Sequence, residues 1–552
     1  MQGRRRIPRG RRPAPGAVTG AFLVLGLLAT VPGAAPRATG AELRPAAVAG
    51  RFYPADAGRL SRAIDGFMDA ARPARTERPI AIVAPHAGYI YSGQIAADAY
   101  RQAADHDYDL VVILGTNHTT AGFTRISVYD GPGYLTPLGV AAIDTSITHR
   151  LLGAGRGAGS AAGPDWIFEP AVHRREHSVE VQVPFVQRLF PGVPIVAAVI
   201  GDRDPERCAR AGEELAAVIG ARRALLVAST DLAHYPAHAG AVRADHAMLA
   251  AMTTLEPAHL HRVAVDELAR GTPALSTCAC GEGPVMVAMA AARSLGATRG
   301  VVISHATSGQ AAVGERARVV GYGAVVFCAG VPGADTSVID KRVEVPAGAD
   351  GGAPETPGRE APGVGESTGE PAAGQLAAGE RATLLRIARR TIARYLDAGV
   401  TPLVRDLPPA LARHRGAFVT LREHGRLRGC IGHMAEDLPL GQVVGAMALE
   451  AAFSDQRFPP LAAEELDRIT IEVSVLTPHR PVAGPEAIVV GRDGVVLRKN
   501  GRSAVYLPHV ATEQGWDRDT MLDHLSQKAG LPRDAWRRGA EFLTFQAEVF
   551  GE

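Results

Sequence analysis

Four histidines stand where four apolar runs end. Ile80-Ala81-Ile82-Val83 leads into Ala84-Pro85-His86-Ala87-Gly88-Tyr89, and Leu110-Val111-Val112-Ile113-Leu114 into Gly115-Thr116-Asn117-His118. Ala224-Leu225-Leu226-Val227-Ala228 runs into Ser229-Thr230-Asp231-Leu232-Ala233-His234, and Val301-Val302-Ile303 into Ser304-His305. Short continuous apolar runs read as strands buried on both faces, as in a parallel sheet covered by helices. Open α/β sheets bind ligands beyond the carboxyl ends of their strands. Repeated delivery of a histidine to that edge points to one polar site, and to metal chemistry. Neutral imidazoles with one thiolate suit iron, copper or zinc, and three protein ligands leave a position open for water or substrate. His86, His118 and Cys280 are the set this reasoning favours. Taken singly, each histidine is equally well a satisfied core or loop residue.

Cys280 lies in Ser276-Thr277-Cys278-Ala279-Cys280-Gly281-Glu282-Gly283-Pro284, a turn-like stretch ahead of an apolar helix over Val285–Ala292. A thiol at a helix N-terminus is acidified by the dipole, which makes it a better ligand or nucleophile. The plain alternative is that Cys278 and Cys280 are small buried hydrophobes. Glu176-His177-Ser178-Val179-Glu180 is predicted to open a helix running toward Pro184, with His177 and Glu180 on one face. That pair is a candidate general base, or a hydrogen-bonding support for a ligand's tautomer. Acids favouring a helix start explain the glutamates but not the histidine. Asp231 and His234 fit a carboxylate that orients an imidazole.

The elements that must position these groups follow from patterning. At 552 residues the chain holds two or three domains. A net charge of +2 gives no pull toward nucleic acid or anionic membrane. Cys208, Cys278, Cys280, Cys328 and Cys430 are too few and too scattered for a disulfide framework. In residues 1–43, Arg4-Arg5-Arg6 with Arg9, Arg11 and Arg12 precede the uncharged apolar segment Ala17–Val31 and the small residues Ala38-Thr39-Gly40-Ala41. That is the layout of a secretory signal, so export to the periplasm or cell envelope is expected. The rivals are an uncleaved anchor, for which the apolar part is short, and a cytoplasmic chain with a misassigned start codon.

Residues 44–328 alternate apolar runs with segments of helical period, which predicts an α/β domain: a mostly parallel sheet with helices on both faces. Helices are expected over Leu60–Ala70 and Gly93–Ala103, and strands over Ile195–Ile200 and Val319–Phe327. Residues 329–380, rich in Gly, Pro and Ala, bury too little apolar surface to offset their ordering entropy and read as a flexible linker. Residues 381–552 begin with an amphipathic helix over Ala382–Tyr395. Strand-like runs follow at Ala417–Leu421, Ile469–Leu476, Val495–Leu497 and Ser503–Leu507, with helices at Leu440–Ala452 and Asp519–Ala529. The mixture predicts an α+β domain. Within it, Leu427-Arg428-Gly429-Cys430-Ile431-Gly432 permits a tight turn that exposes Cys430, with Arg426 and Arg428 favouring its thiolate. A buried cysteine in a glycine-lined strand turn is the alternative.

Val48-Ala49-Gly50-Arg51-Phe52-Tyr53-Pro54, the His86 string, Glu176-His177-Ser178-Val179-Glu180, Ser229-Thr230-Asp231 and Cys280-Gly281 resemble the MEMO family, also called AmmeMemoRadiSam system protein B, over about Arg44 to Phe327. The resemblance implies a fold similar to the class III extradiol dioxygenases. It also implies an iron or copper site of two histidines and one cysteine, which falls by motif on His86, His118 and Cys280. Family members often carry Cys-Gly-Arg-His-Pro where this chain has Cys280-Gly281-Glu282-Gly283-Pro284. One nearby histidine is therefore absent, and His305 is a candidate to stand in for it. The Cys430 string resembles the AMMECR family, AmmeMemoRadiSam system protein A. Ala452-Phe453-Ser454-Asp455-Gln456-Arg457-Phe458-Pro459-Pro460-Leu461, Val473-Ser474-Val475-Leu476 and Leu507-Pro508-His509-Val510 extend that likeness over roughly Leu384 to Phe550.

Both resemblances imply a radical S-adenosylmethionine enzyme as companion; this chain lacks the Cys-x3-Cys-x2-Cys string such an enzyme uses for its own cluster. The first functional expectation is a metal-dependent redox or oxygenase-like enzyme, with iron or copper on His86, His118 and Cys280. His177 or His234 would move protons. The second is a non-catalytic adaptor that binds metal, a small molecule or a peptide, with the C-terminal domain docking a partner. A third makes Cys430 the nucleophile and the first domain a delivery module.

Overall fold

In the computed structural model the apolar runs become the centre of a large α/β domain, followed by a smaller α+β domain. The structure describes residues 42–157, 166–311, 316–330 and 375–552. The expected leader, 1–43, lies outside the described residues except for its last two, and the expected linker, 329–380, except at its ends.

The described strands of the first domain are β1 (Ala81–Ala84), β2 (Leu110–Thr116), β3 (Ile126–Val128), β4 (Gly133–Thr136) and β5 (Gly139–Ala142). They continue with β6 (Trp166–Ile167), β7 (Ile195–Ile200), β8 (Ala224–Ser229), β9 (Arg299–Thr307) and β10 (Gly321–Cys328). Eight form one sheet in the order β6-β3-β7-β2-β8-β1-β10-β9, and β4 with β5 makes a separate hairpin. The central strands β7, β2, β8 and β1 run parallel. By contrast, β10 pairs antiparallel with both β1 and β9.

Side chains alternate between the two faces of a strand. Ile82, Val111, Ile113, Leu225 and Val227 therefore join one apolar cluster, with Leu60, Ile64 and Ile95 of the helices Ala57–Asp69 and Tyr89–Arg101. Ala81, Val83, Leu110, Val112 and Leu226 join the other, with Leu215, Met248 and Val287 of Pro205–Ile219, His238–Met252 and Glu282–Ser294. Two covered faces require apolar residues at every position, which is why these strands read as unbroken runs. The first helix starts at Ala57, ahead of Leu60, because the Asp56 side chain accepts from the Arg59 N–H.

One expected helix is replaced. Glu176–Val179 is irregular, and only a single 3₁₀ turn, Glu180–Gln182, precedes the helix Val183–Leu189. The Glu176 carboxylate folds back to accept from the backbone N–H groups of His177 and Ser178, both at 2.9 Å. A side chain that takes these amides competes with the first helical turn.

In the second domain, Ala417–Glu423 lies between Arg426–His433 and Ile469–Leu476, with Ala547–Gly551 beyond, all antiparallel. Helices Ala378–Ala398 and Leu440–Phe453 cover this sheet. A second sheet follows the order Arg480–Val482, Glu541–Phe545, Gly494–Lys499, Arg502–Tyr506.

Candidate metal centre

The adjacent strands β2, β8 and β1 end side by side, so His118, the Ser229–His234 loop and His86 share one edge. Cys280 precedes Gly281, the N-cap of the helix Glu282–Ser294. Ligand atoms of His86, His118 and Cys280 lie within 4.8 Å of one another. The same holds for His118, Glu176 and His177, and for Asp231, His234 and Cys280.

Hydrogen bonds decide which ring nitrogens face the centre. Ser229 Oγ donates to the Ser178 carbonyl at 2.6 Å, so towards His86 Nδ1, 3.0 Å away, it accepts. Gln182 Nε2 donates to the same hydroxyl at 2.9 Å. His86 therefore carries its proton on Nδ1 and turns the Nε2 lone pair toward Cys280 Sγ, 3.3 Å distant. Two ligands of one ion, at bond lengths of about 2.1 Å for nitrogen and 2.3 Å for sulfur, sit roughly 3.5 Å apart in a tetrahedral site. The residues fit a shared ion. His118 is tied in the same way: Nδ1 donates to Glu176 Oε1 at 2.9 Å, and its backbone N–H to Oε2 at 2.6 Å. A carboxylate behind an imidazole fixes its tautomer and leaves Nε2 for a metal.

Cys280 is held by its backbone. Its N–H donates to the Asp231 carbonyl at 3.2 Å, and Thr116 Oγ1 donates to its carbonyl at 2.9 Å. The Asp231 N–H points at Sγ from 3.3 Å. Gly281 permits this approach, since a Cβ there would lie 2.4 Å from the Ser229 carbonyl oxygen. The expected acidification of the thiol is not found. Burial pushes Cys280 up, and the Asp231 carboxylate adds to the push. Burial, followed by the nearby His118, His177 and His234, pulls His86 well below the usual imidazole range. Burial alone would raise Glu176, but the hydrogen bond and charge of His118 bring it down to about 2.

His177 stacks on His118 with ring centroids 4.6 Å apart, and Phe52 packs against it at 4.8 Å. Burial brings His177 down to about 4. Asp231 does not orient His234 as expected. Its Oδ1 accepts from the backbone N–H groups of His86 and Ala87, at 2.8 and 3.3 Å, and so anchors the His86 loop. His234 Nδ1 donates instead to the Leu232 carbonyl at 2.8 Å.

Two candidates lie elsewhere. Glu180 does not share a face with His177, because no helix forms between them. Its carboxylate accepts from Arg44, from the Ala47 and Val48 N–H groups, and from Tyr53 OH at 2.6 Å. His305 is separated from β1 by the antiparallel strand β10, and its Nε2 bonds Asp245 Oδ2 at 2.8 Å. Sequence reasoning passed over Glu176, Ser229 and Gln182 as site residues. The readable signal was position: Glu176 precedes His177, and Ser229 ends the strand leading to Asp231.

In the second domain Cys430 is half-buried within a strand, opposite Thr420, whose hydroxyl donates to Sγ at 3.3 Å. No tight turn exposes it. Arg428 pairs with Glu465 at 2.7 Å, while Arg457 donates to the Cys430 carbonyl and Asp455 accepts from its N–H. Gly429 serves packing, since a Cβ would sit 2.1 Å from the Ala451 carbonyl oxygen of the covering helix. Gly429→Ala is expected to destabilise this domain by about 1–3 kcal/mol. The measurement is urea unfolding followed by Trp516 and Trp536 fluorescence; an unchanged midpoint would contradict the packing argument.

Fold and site together define a two-domain protein with a histidine–cysteine centre at the carboxyl edge of a parallel sheet. Residues 44–326 match the family model described as Memo-like protein, and residues 385–550 the AMMECR1 model. The chain belongs to the Memo-like family, with an AMMECR1 domain fused behind it. An Aquifex aeolicus "MEMO1 family protein" is 35% identical over 290 residues, covering 52% of this chain and 99% of that protein. A Thermofilum pendens protein is 41% identical over 197 residues, 32% of this chain and 92% of its own length. The crystal structure of the uncharacterized protein PH0010 from Pyrococcus horikoshii is 40% identical, covering 31% of this chain and 89% of that one, with a TM-score of 0.29.

Proposed function

We propose that the first domain is a metal-dependent redox or oxygenase-like enzyme whose iron or copper ion is held by His86, His118 and Cys280. One observation carries the reading. Two imidazoles with Nδ1 already committed to Ser229 and Glu176 leave their Nε2 atoms for a centre that also contains a thiol. Bound iron or copper would supply electron transfer and a position for oxygen or a small substrate. His177, stacked on His118 with a fifth of its side chain exposed, is placed to take or deliver a proton beside that position. Phe52 shields the ring, and Asp231 keeps the His86 loop in register. A thiolate in place of the carboxylate of the usual two-histidine iron triad favours copper, or a redox step other than ring cleavage. The family resemblance supplies the proposed companion, a radical S-adenosylmethionine enzyme, and the substrate class is a small molecule or peptide.

Metal analysis of protein from its native compartment tests the reading. About one iron or copper per chain is expected, lost in His86→Ala and Cys280→Ala and kept in His305→Ala. No bound metal, with both site variants unchanged in fold and metal affinity, leaves a binding module and ends the enzyme proposal.

A further inference from the structure

Asp98 is fully buried in the helix Tyr89–Arg101 of the first domain. A buried carboxylate is costly unless it is paired and hydrogen-bonded. Among the described residues of its own domain it accepts from the Arg72 N–H at 2.8 Å and, at 3.5 Å, from Gln94. Its only ion-pair partner among the described residues comes from the second domain. Arg405 reaches Oδ2 through Nη1 at 2.5 Å and Oδ1 through Nη2 at 3.1 Å, and Nη2 also donates to the Ala70 carbonyl at 2.6 Å.

The same stretch of the second domain brings apolar residues. Ala398 and Val400 are buried and belong to the first domain's apolar cluster, alongside Ile64, Phe67 and Tyr89. Exposed pairs flank this contact: Arg62 with Asp397 at 2.6 Å, and Arg72 with Asp406 at 2.7 Å. Residues 397–406 thus present an apolar plug, a half-buried guanidinium and two rim carboxylates to a complementary surface on the helices Ala57–Asp69 and Tyr89–Arg101 and on Ala70–Arg72, which follow the first of them.

We infer that residues 397–406 are a docking strap that holds the AMMECR1 domain on the first domain, independently of the covalent connection through residues 331–374. The pairing of Arg405 with the buried Asp98 sets the register, and Ala398 and Val400 supply the apolar contact. The surface on the first domain is built to receive this second domain. Its helix Tyr89–Arg101 starts three residues after His86, so the strap also braces the element that follows the metal centre.

The test uses the full chain with a site for a specific protease inserted between residues 331 and 374. After cleavage the two parts are expected to co-elute on gel filtration at micromolar concentration. Arg405→Leu, which leaves Asp98 buried without a cation, is expected to weaken their association about 100-fold. Asp406→Ala removes only a rim pair and is expected to weaken it no more than about fivefold. Adding Asp98→Leu to Arg405→Leu is expected to recover most of the lost affinity, since a packed apolar pair can replace a buried ion pair. A merely misfolded Arg405→Leu protein would not recover. The inference is overturned if the wild-type parts separate, if Arg405→Leu associates as tightly as wild type, or if the double variant stays apart.

Discussion

Glu180→Ala is expected to destabilise the first domain by about 3–5 kcal/mol, the cost of leaving one member of a buried ion pair alone. Arg44 and Glu180 are both buried, and the carboxylate gathers four donors from the segment that opens the domain: the Arg44 guanidinium, the Ala47 and Val48 N–H groups and Tyr53 OH. Arg44 extends the network by donating through Nε to the His173 carbonyl at 3.0 Å. Alanine leaves the Ala47 and Val48 N–H groups and the Tyr53 hydroxyl without their acceptor and the buried Arg44 without its counter-ion, and each unsatisfied group adds its own desolvation cost. Urea unfolding is the measurement, with the first-domain transition moving and that of the second domain staying. Arg44→Met with Glu180→Leu is expected to regain much of the loss, because the penalty comes from the unpaired survivor. A Glu180→Ala protein with an unchanged midpoint would contradict the anchoring role. It would also return Glu180 to consideration as an acid–base group beside His177.

Glu180 also shows where sequence reading stops. The strands β1, β2, β7 and β8 were legible because burial on both faces removes polar residues from the run. The α/β and α+β division was legible from the order of strand-like and helical runs. Strand order was not, and it separates His118 and His86 from His305. All three follow apolar runs, yet β9 lies beyond the antiparallel β10, two strand spacings or about 10 Å from β1. The choice between helix and loop at Glu176–Glu180 was equally hidden. Acids with a following apolar run fit a helix start, and only the folded chain shows the Glu176 carboxylate holding the amides that the helix needed. In the second domain the two glycines around Cys430 signalled close approach correctly, but Gly429 meets a covering helix and Gly432 the Phe418 ring of the neighbouring strand, and the cysteine stays in a strand.

Glu176→Gln is the second substitution with a large expected effect, at the proposed metal centre. Its two oxygens accept from four groups: His118 Nδ1 and the backbone N–H groups of His118, His177 and Ser178. No donor-rich amide can satisfy that set, because turning the glutamine either way aims its NH₂ at one or more N–H donors. With the NH₂ in the place of Oε1 the His118 ring rotates or changes tautomer; with it in the place of Oε2 it faces the His118 backbone N–H and pushes away the loop that carries the ring, so either way the Nε2 lone pair shifts from where His86 and Cys280 converge. Loss of such support behind a ligand weakens metal binding by about 10–100-fold. Competition with a chromogenic chelator measures it. Ser229→Ala, which removes the acceptor from His86 Nδ1, is expected to act in the same direction. His234→Ala leaves the three proposed ligands and their supports in place and is expected to change affinity far less. Affinity unchanged in Glu176→Gln would mean that the carboxylate serves the loop alone. A loss as large in His234→Ala would shift the ion toward Asp231, His234 and Cys280, the neighbouring set that shares the same thiol.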